Sequence, residues 1–80
     1  MKLPRDISGI DLLKLLSQFG YTLVKQTGSH MKLGTKLHGE HHITIPAHDP
    51  IKVGTLSAIL TDVSKHLDMS KDALMEQIFR

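Results

Sequence analysis

The stretch Tyr21-Thr22-Leu23-Val24-Lys25-Gln26-Thr27-Gly28-Ser29-His30-Met31-Lys32-Leu33-Gly34-Thr35-Lys36-Leu37, continued by His41-His42-Ile43-Thr44-Ile45-Pro46, has the composition of an antiparallel sheet. At Tyr21 the composition turns to β-branched and aromatic residues, which predicts strands over 21–27, 29–37 and 41–46, with Gly28 and Gly39 in the turns. Side chains alternate across a strand. Met31 and Leu33 therefore share one face while His30 and Lys32 share the other, and Ile43 and Ile45 oppose His42 and Thr44. The predicted sheet has one apolar face and one polar face that carries imidazoles.

Upstream, Ser8 with Asp11 three residues on has the form of a capping box, and Leu12, Leu15, Leu16 and Phe19 recur at helical spacing up to Gly20, a helix stop. Downstream, Pro46-Ala47-His48-Asp49-Pro50 cannot continue a central strand, because its two prolines lack ladder donors. It reads as a loop. Gly54-Thr55 then opens a second helix with Leu56, Ile59, Leu60, Val63 and Leu67 as its apolar stripe. Ser70 and Asp72 start a short third helix through Phe79, expected as an appendage to the core. The order helix, three strands, helix, helix predicts an α+β two-layer sandwich, α-β-β-β-α with an extra short C-terminal helix, and residues 1–80 read as one domain.

Without cysteine, the chain can form no disulfide, no thiolate metal site and no cysteine nucleophile, which fits a reducing cytoplasm. No apolar run approaches the ~20 residues of a membrane span, and Met1-Lys2-Leu3-Pro4-Arg5-Asp6 lacks a signal-peptide core. A soluble cytoplasmic protein is expected, with no membrane contact. The net charge of +2 is unevenly placed: residues 21 to 53 hold Lys25, Lys32, Lys36 and Lys52 against Glu40 and Asp49, with five of the six histidines. A polyanion should meet this middle segment.

His30 is the first candidate for chemistry. A neutral imidazole titrates near pH ~6.5 and can take or give a proton at cellular pH, as cleavage of an RNA backbone requires. Attack of a ribose 2′-hydroxyl on the adjacent phosphorus needs a base, an acid for the leaving 5′-oxygen, and cations for the crowded phosphorane. Lys32 on the same strand face and Lys25 on the preceding strand are candidates for phosphate contacts. His38, His41 and His42 around Gly39-Glu40 invite a metal reading, but their spacing matches no ligand motif and the chain lacks the carboxylate cluster of metal-dependent nucleases. Neither a metal nor another cofactor is expected.

Taken in order, Leu3-Pro4-Arg5, Phe19-Gly20-Tyr21, Val24-Lys25-Gln26-Thr27-Gly28-Ser29-His30, Thr44-Ile45-Pro46-Ala47-His48 and Gly54-Thr55-Leu56 with Ile59-Leu60 resemble the HicA-type toxins of toxin-antitoxin pairs. The resemblance implies a double-stranded-RNA-binding-domain-like fold and ribosome-independent cleavage of mRNA. It also implies neutralisation by a HicB-type antitoxin, through which alone DNA would be contacted. The family's catalytic histidine falls on His30, with Gly28 and Ser29 leading into its strand, and Ser29, Lys25, Lys32 and His48 are the expected RNA-binding residues. His48 matches the histidine of the family's proline-containing loop. Thr61 and Asp62 stand where the family commonly has a basic residue. For the stripe of Leu74, Met75, Ile78 and Phe79 two readings stand: packing against the core, or a docking surface for the antitoxin. The alternatives to a metal-independent endoribonuclease are a non-catalytic RNA-binding module and a metal-binding histidine protein.

Overall fold

In the computed structural model, which describes residues 3–79, the chain is an α+β protein: a helix, three antiparallel strands and two further helices. Met1, Lys2 and Arg80 lie outside the described residues. Helix α1 (Gly9–Leu16) begins at the expected capping box, with Ser8 Oγ accepting the Asp11 N–H at 3.0 Å and Asp11 Oδ2 accepting the Ser8 N–H at 3.3 Å. A 3-10 turn, Ser17–Phe19, continues it to Gly20, whose φ of +82° is the left-handed stop that only glycine adopts cheaply.

Strands β1 (Thr22–Thr27), β2 (His30–Thr35) and β3 (His41–Pro46) form one sheet in the order β1-β2-β3. Gly28, at φ +57°, takes the first position of the two-residue loop between β1 and β2, where left-handed backbone matches the twist of the flanking strands. That loop sets the register: Thr27 opposes His30 and Lys25 opposes Lys32. The register then slips, because Leu23 opposes Leu33 and leaves Val24 as the extra residue of a β-bulge. The bulge returns Leu23 to the apolar face. Strand β2 ends at Thr35, two residues short of the expected Leu37: the Leu37 N–H donates to the Thr35 hydroxyl instead of across the sheet, and that hydroxyl donates to the Phe19 carbonyl.

The alternation holds in β2 and β3: Met31, Leu33, Ile43 and Ile45 are buried, while His30, Lys32, His42 and Thr44 are exposed. Helix α2 (Val53–His66) adds Leu56, Ile59, Leu60 and Val63 to the same core, and α1 adds Leu12 and Leu16. Strand β1 differs, since all six of its residues are exposed, Leu23 at 45% and Val24 at 56%. The apolar layer covers the β2–β3 half of the sheet only.

Helix α3 (Lys71–Ile78) starts at Ser70, whose hydroxyl accepts the Ala73 N–H at 3.0 Å. It is no appendage. Leu74, Met75 and Ile78 are buried within the main core cluster, with Phe79 packed against it, so this stripe is core packing rather than an open docking surface. An eight-residue helix shows too few turns for its sequence to reveal whether its stripe is needed by the core; proximity to α2 decides that.

Candidate nucleic-acid interface

Cross-strand pairing places Lys25, Thr27, His30, Lys32, Thr44 and Pro46 on the outer face of the sheet, opposite the helices. His30 opens β2 and stands between Thr27 and Pro46, and one step further Lys25, Lys32 and Thr44 form a row. Lysines directly opposite each other destabilise an antiparallel pair. No carboxylate sits in either row, so nothing on the sheet offsets the two ammonium groups. An anion bound across the face would.

The loop after β3 brings His48 to the same place. The Ala47 N–H donates to the Ser29 carbonyl at 2.6 Å, prolonging the β2–β3 ladder by one step, and the Gly9 N–H at the start of α1 donates to the His48 carbonyl at 2.9 Å. The Ile51 N–H donates to the Ile7 carbonyl, and the buried Ile51 anchors the far end of the loop. The approach of α1 is so close that a Cβ on Gly9 would lie 2.1 Å from the Pro46 carbonyl oxygen. Only glycine fits. As a result His30 and His48 line one open hollow of about 360 Å³, together with Thr44, Pro46, Lys52 and Thr55.

Of the expected site residues, His30 and His48 line this hollow, Lys25 and Lys32 lie one row from His30 on the same face, and Ser29 meets the loop through its backbone carbonyl without lining the hollow. Lys52 and Thr55, at the start of α2, complete the hollow and were not singled out as site residues from sequence. Their signal was available in the Gly54-Thr55-Leu56 match and in the basic count of the middle segment. A second hollow of about 340 Å³ lies at the other end of the face, where Glu40 joins Lys36 and His42. Its carboxylate makes it the poorer end for an anion.

Of the remaining histidines, His41 and His66 are occupied structurally, and His42 Nε2 lies 3.6 Å from Glu40 Oε2. His41 Nδ1 is 2.7 Å from the Tyr21 hydroxyl, its Nε2 is 3.3 Å from Asp62 Oδ1, and its ring stacks on His66 with centroids 4.3 Å apart. His66 Nε2 lies 2.9 Å from the Leu37 carbonyl, tying the β2–β3 loop to α2. Burial first, and the Asp62 charge second, push the Tyr21 hydroxyl up to about 12. Asp62 is thus committed to His41, on the inner side of the sheet. His41 and His42 do point to opposite faces, as alternation requires. Among the described residues no three His, Asp or Glu side chains come together in a way that could hold a metal ion. By contrast, neither His30 nor His48 has a side-chain hydrogen bond or ion pair among the described residues.

Fold and face together define a small α+β protein with a bare, basic, imidazole-bearing sheet surface suited to a polyanion. The family model for the HicA toxin of bacterial toxin-antitoxin systems matches residues 9–64, from the first residue of α1 almost to the end of α2. The chain belongs to that family: it is the toxin of a toxin-antitoxin pair, and its partner is an antitoxin. No curated protein and no solved structure matches it. No helix among the described residues is long and apolar enough to cross a membrane.

Proposed function

We propose that this toxin is a metal-independent endoribonuclease of the cytoplasm that binds single-stranded mRNA along the outer sheet face and cuts it with His30 as acid-base group. The observation that carries the reading is the His30 imidazole, exposed and without a side-chain partner among the described residues, beside a Lys25–Lys32 pair with no carboxylate in its row. General acid-base work needs a titratable group free to reach its proton, and a phosphodiester needs cations that no carboxylate already neutralises. Lys25 and Lys32 hold phosphates, and Ser29 and His48 contact RNA beside the scissile bond. The carboxylate-free site supports chemistry without a metal, since protein sites for hard divalent cations are built around carboxylates that these rows lack.

The α-β-β-β-α order supports a double-stranded-RNA-binding-domain-like toxin domain across the chain, turned here to a single-stranded substrate. A HicB-type antitoxin neutralises it by covering the outer face, and DNA is reached only through that partner. The test is cleavage of a purified mRNA by the wild type and by His30→Ala in excess EDTA, with both folds checked by circular dichroism. Cleavage by the wild type alone is expected. If neither protein cuts while both bind RNA, the chain is an RNA-binding module and the reading fails.

A further inference from the structure

A single imidazole can serve only one proton at a time, whereas transesterification of RNA moves two: one leaves the 2′-hydroxyl and one joins the 5′-oxygen. We infer that His48 is the second proton-transfer group, acting across the hollow from His30; this rests on the nuclease reading above. His30 is paired with Pro46, and the Ala47 N–H to Ser29 carbonyl bond keeps the chain in register beyond that pair. His48 follows two residues after Pro46 and lines the same hollow as His30; where a ladder continues, diagonal neighbours of this kind stand about 7 Å apart on one face. Two hydrogen-bond reaches of about 3 Å each, with the apical oxygens of a phosphorane between them, span a gap of that order between flexible side chains.

The other lining groups suit the same reaction. Lys52 at the start of α2 supplies a cation, Thr44 and Thr55 supply hydroxyls, and no carboxylate lines the hollow. The charged groups around the pair are Lys52 on α2, Lys32 and Lys25 on the sheet, and Asp49 beside His48 in the chain. The loop backbone is held through the Ala47 N–H and the His48 carbonyl, so the His48 imidazole is not needed to build the loop.

In the reaction the 2′-oxygen forms a bond to phosphorus as its proton passes to whichever imidazole is neutral. The bond from phosphorus to the 5′-oxygen breaks, and that oxygen takes a proton from the imidazolium opposite. The products are a 2′,3′-cyclic phosphate and a 5′-hydroxyl, and the two imidazoles exchange protonation states until solvent resets them.

The experiment measures kcat/KM against pH for the wild type, His30→Ala and His48→Ala on one RNA oligonucleotide. It is repeated on that oligonucleotide with sulfur replacing the 5′-oxygen at the cut, a leaving group that needs no acid. A bell-shaped wild-type profile is expected, with each variant slowed about 100-fold or more and losing a different limb. The sulfur substrate should restore the variant that lacks the acid and leave the other slow. His48→Ala that keeps both limbs, loses less than about fivefold, or changes KM alone overturns the role of His48 while the nuclease reading stands. A wild type that does not cut, or a His30→Ala that cuts as fast, overturns that reading and this one with it. Circular dichroism and a melting curve on each variant exclude misfolding, and His48→Gln serves as the isosteric replacement if His48→Ala melts early.

Discussion

Lys25→Glu should make the free toxin more stable while weakening its hold on RNA. Lys25 and Lys32 oppose each other across β1 and β2, both exposed, with no acidic residue in their row. Cross-strand charge pairs are worth roughly 0.2–1 kcal/mol, favourable when opposite and unfavourable when alike. Exchanging repulsion for attraction at a screened surface site is therefore worth about 0.5–1 kcal/mol. For a domain of this size, that raises Tm by roughly 2–8 °C. The RNA side runs the other way: each phosphate contact to a single strand contributes a slope of about 0.7 in log K against log salt. Lys25→Gln should lower that slope by about this amount, and Lys25→Glu should bind more weakly still. The assays are melting curves at low salt, on His30→Ala backgrounds to avoid cleavage, and RNA titrations at several salt concentrations. A Tm that falls with Lys25→Glu, or a salt slope that Lys25→Gln leaves unchanged, would refute the assignment of this face.

Leu74→Ala should cost about 2–5 kcal/mol in chemical denaturation, because Leu74 is fully buried within the core; a loss below about 1 kcal/mol would return α3 to the status of an appendage. Gly9→Ala, whose Cβ would meet the Pro46 carbonyl at 2.1 Å, should cost roughly 1–3 kcal/mol and slow cleavage by displacing the His48 loop; unchanged stability and rate would show that α1 does not hold that loop. Tyr21 is the sole tyrosine and there is no tryptophan, so its ultraviolet titration is unobscured. The folded hydroxyl titrates at about 12 against 10.0 when free, so between those values the unfolded chain releases a proton that the folded chain keeps. Stability from this source is intact below pH 10 and declines as pH rises toward 12. A tyrosinate midpoint at the ordinary value in the folded protein would contradict the burial of Tyr21 against His41.

Much of this protein is legible locally. The Ser8–Asp11 capping box, the glycines at positions 20, 28 and 39, and the outward placement of His30 against Met31 and Leu33 all follow from residues a few positions apart. Helix geometry and strand alternation act over that range, so the α+β order and the polar face could be read from periodicity. Element ends were harder. Helix α2 begins at Val53 rather than Gly54, and β2 stops where the Thr35 hydroxyl turns to Phe19, a partner sixteen residues away.

What composition and spacing could not reveal is which distant segments share a surface. The hollow that joins His30 and His48 exists because Ala47 bonds to Ser29 and Gly9 admits the loop against α1. The exposure of β1 follows from where the core sits, since the buried strand residues come from β2 and β3 alone. Likewise Asp62 and His66 meet His41 from twenty or more residues away, turning an apparent metal cluster into a brace. The periodic elements and the side of the sheet on which His30 stands follow from neighbours in the chain, which set helical spacing and strand alternation. The meeting of His48 with His30 and the membership of α3 in the core depend instead on packing that brings separate elements within a few ångströms.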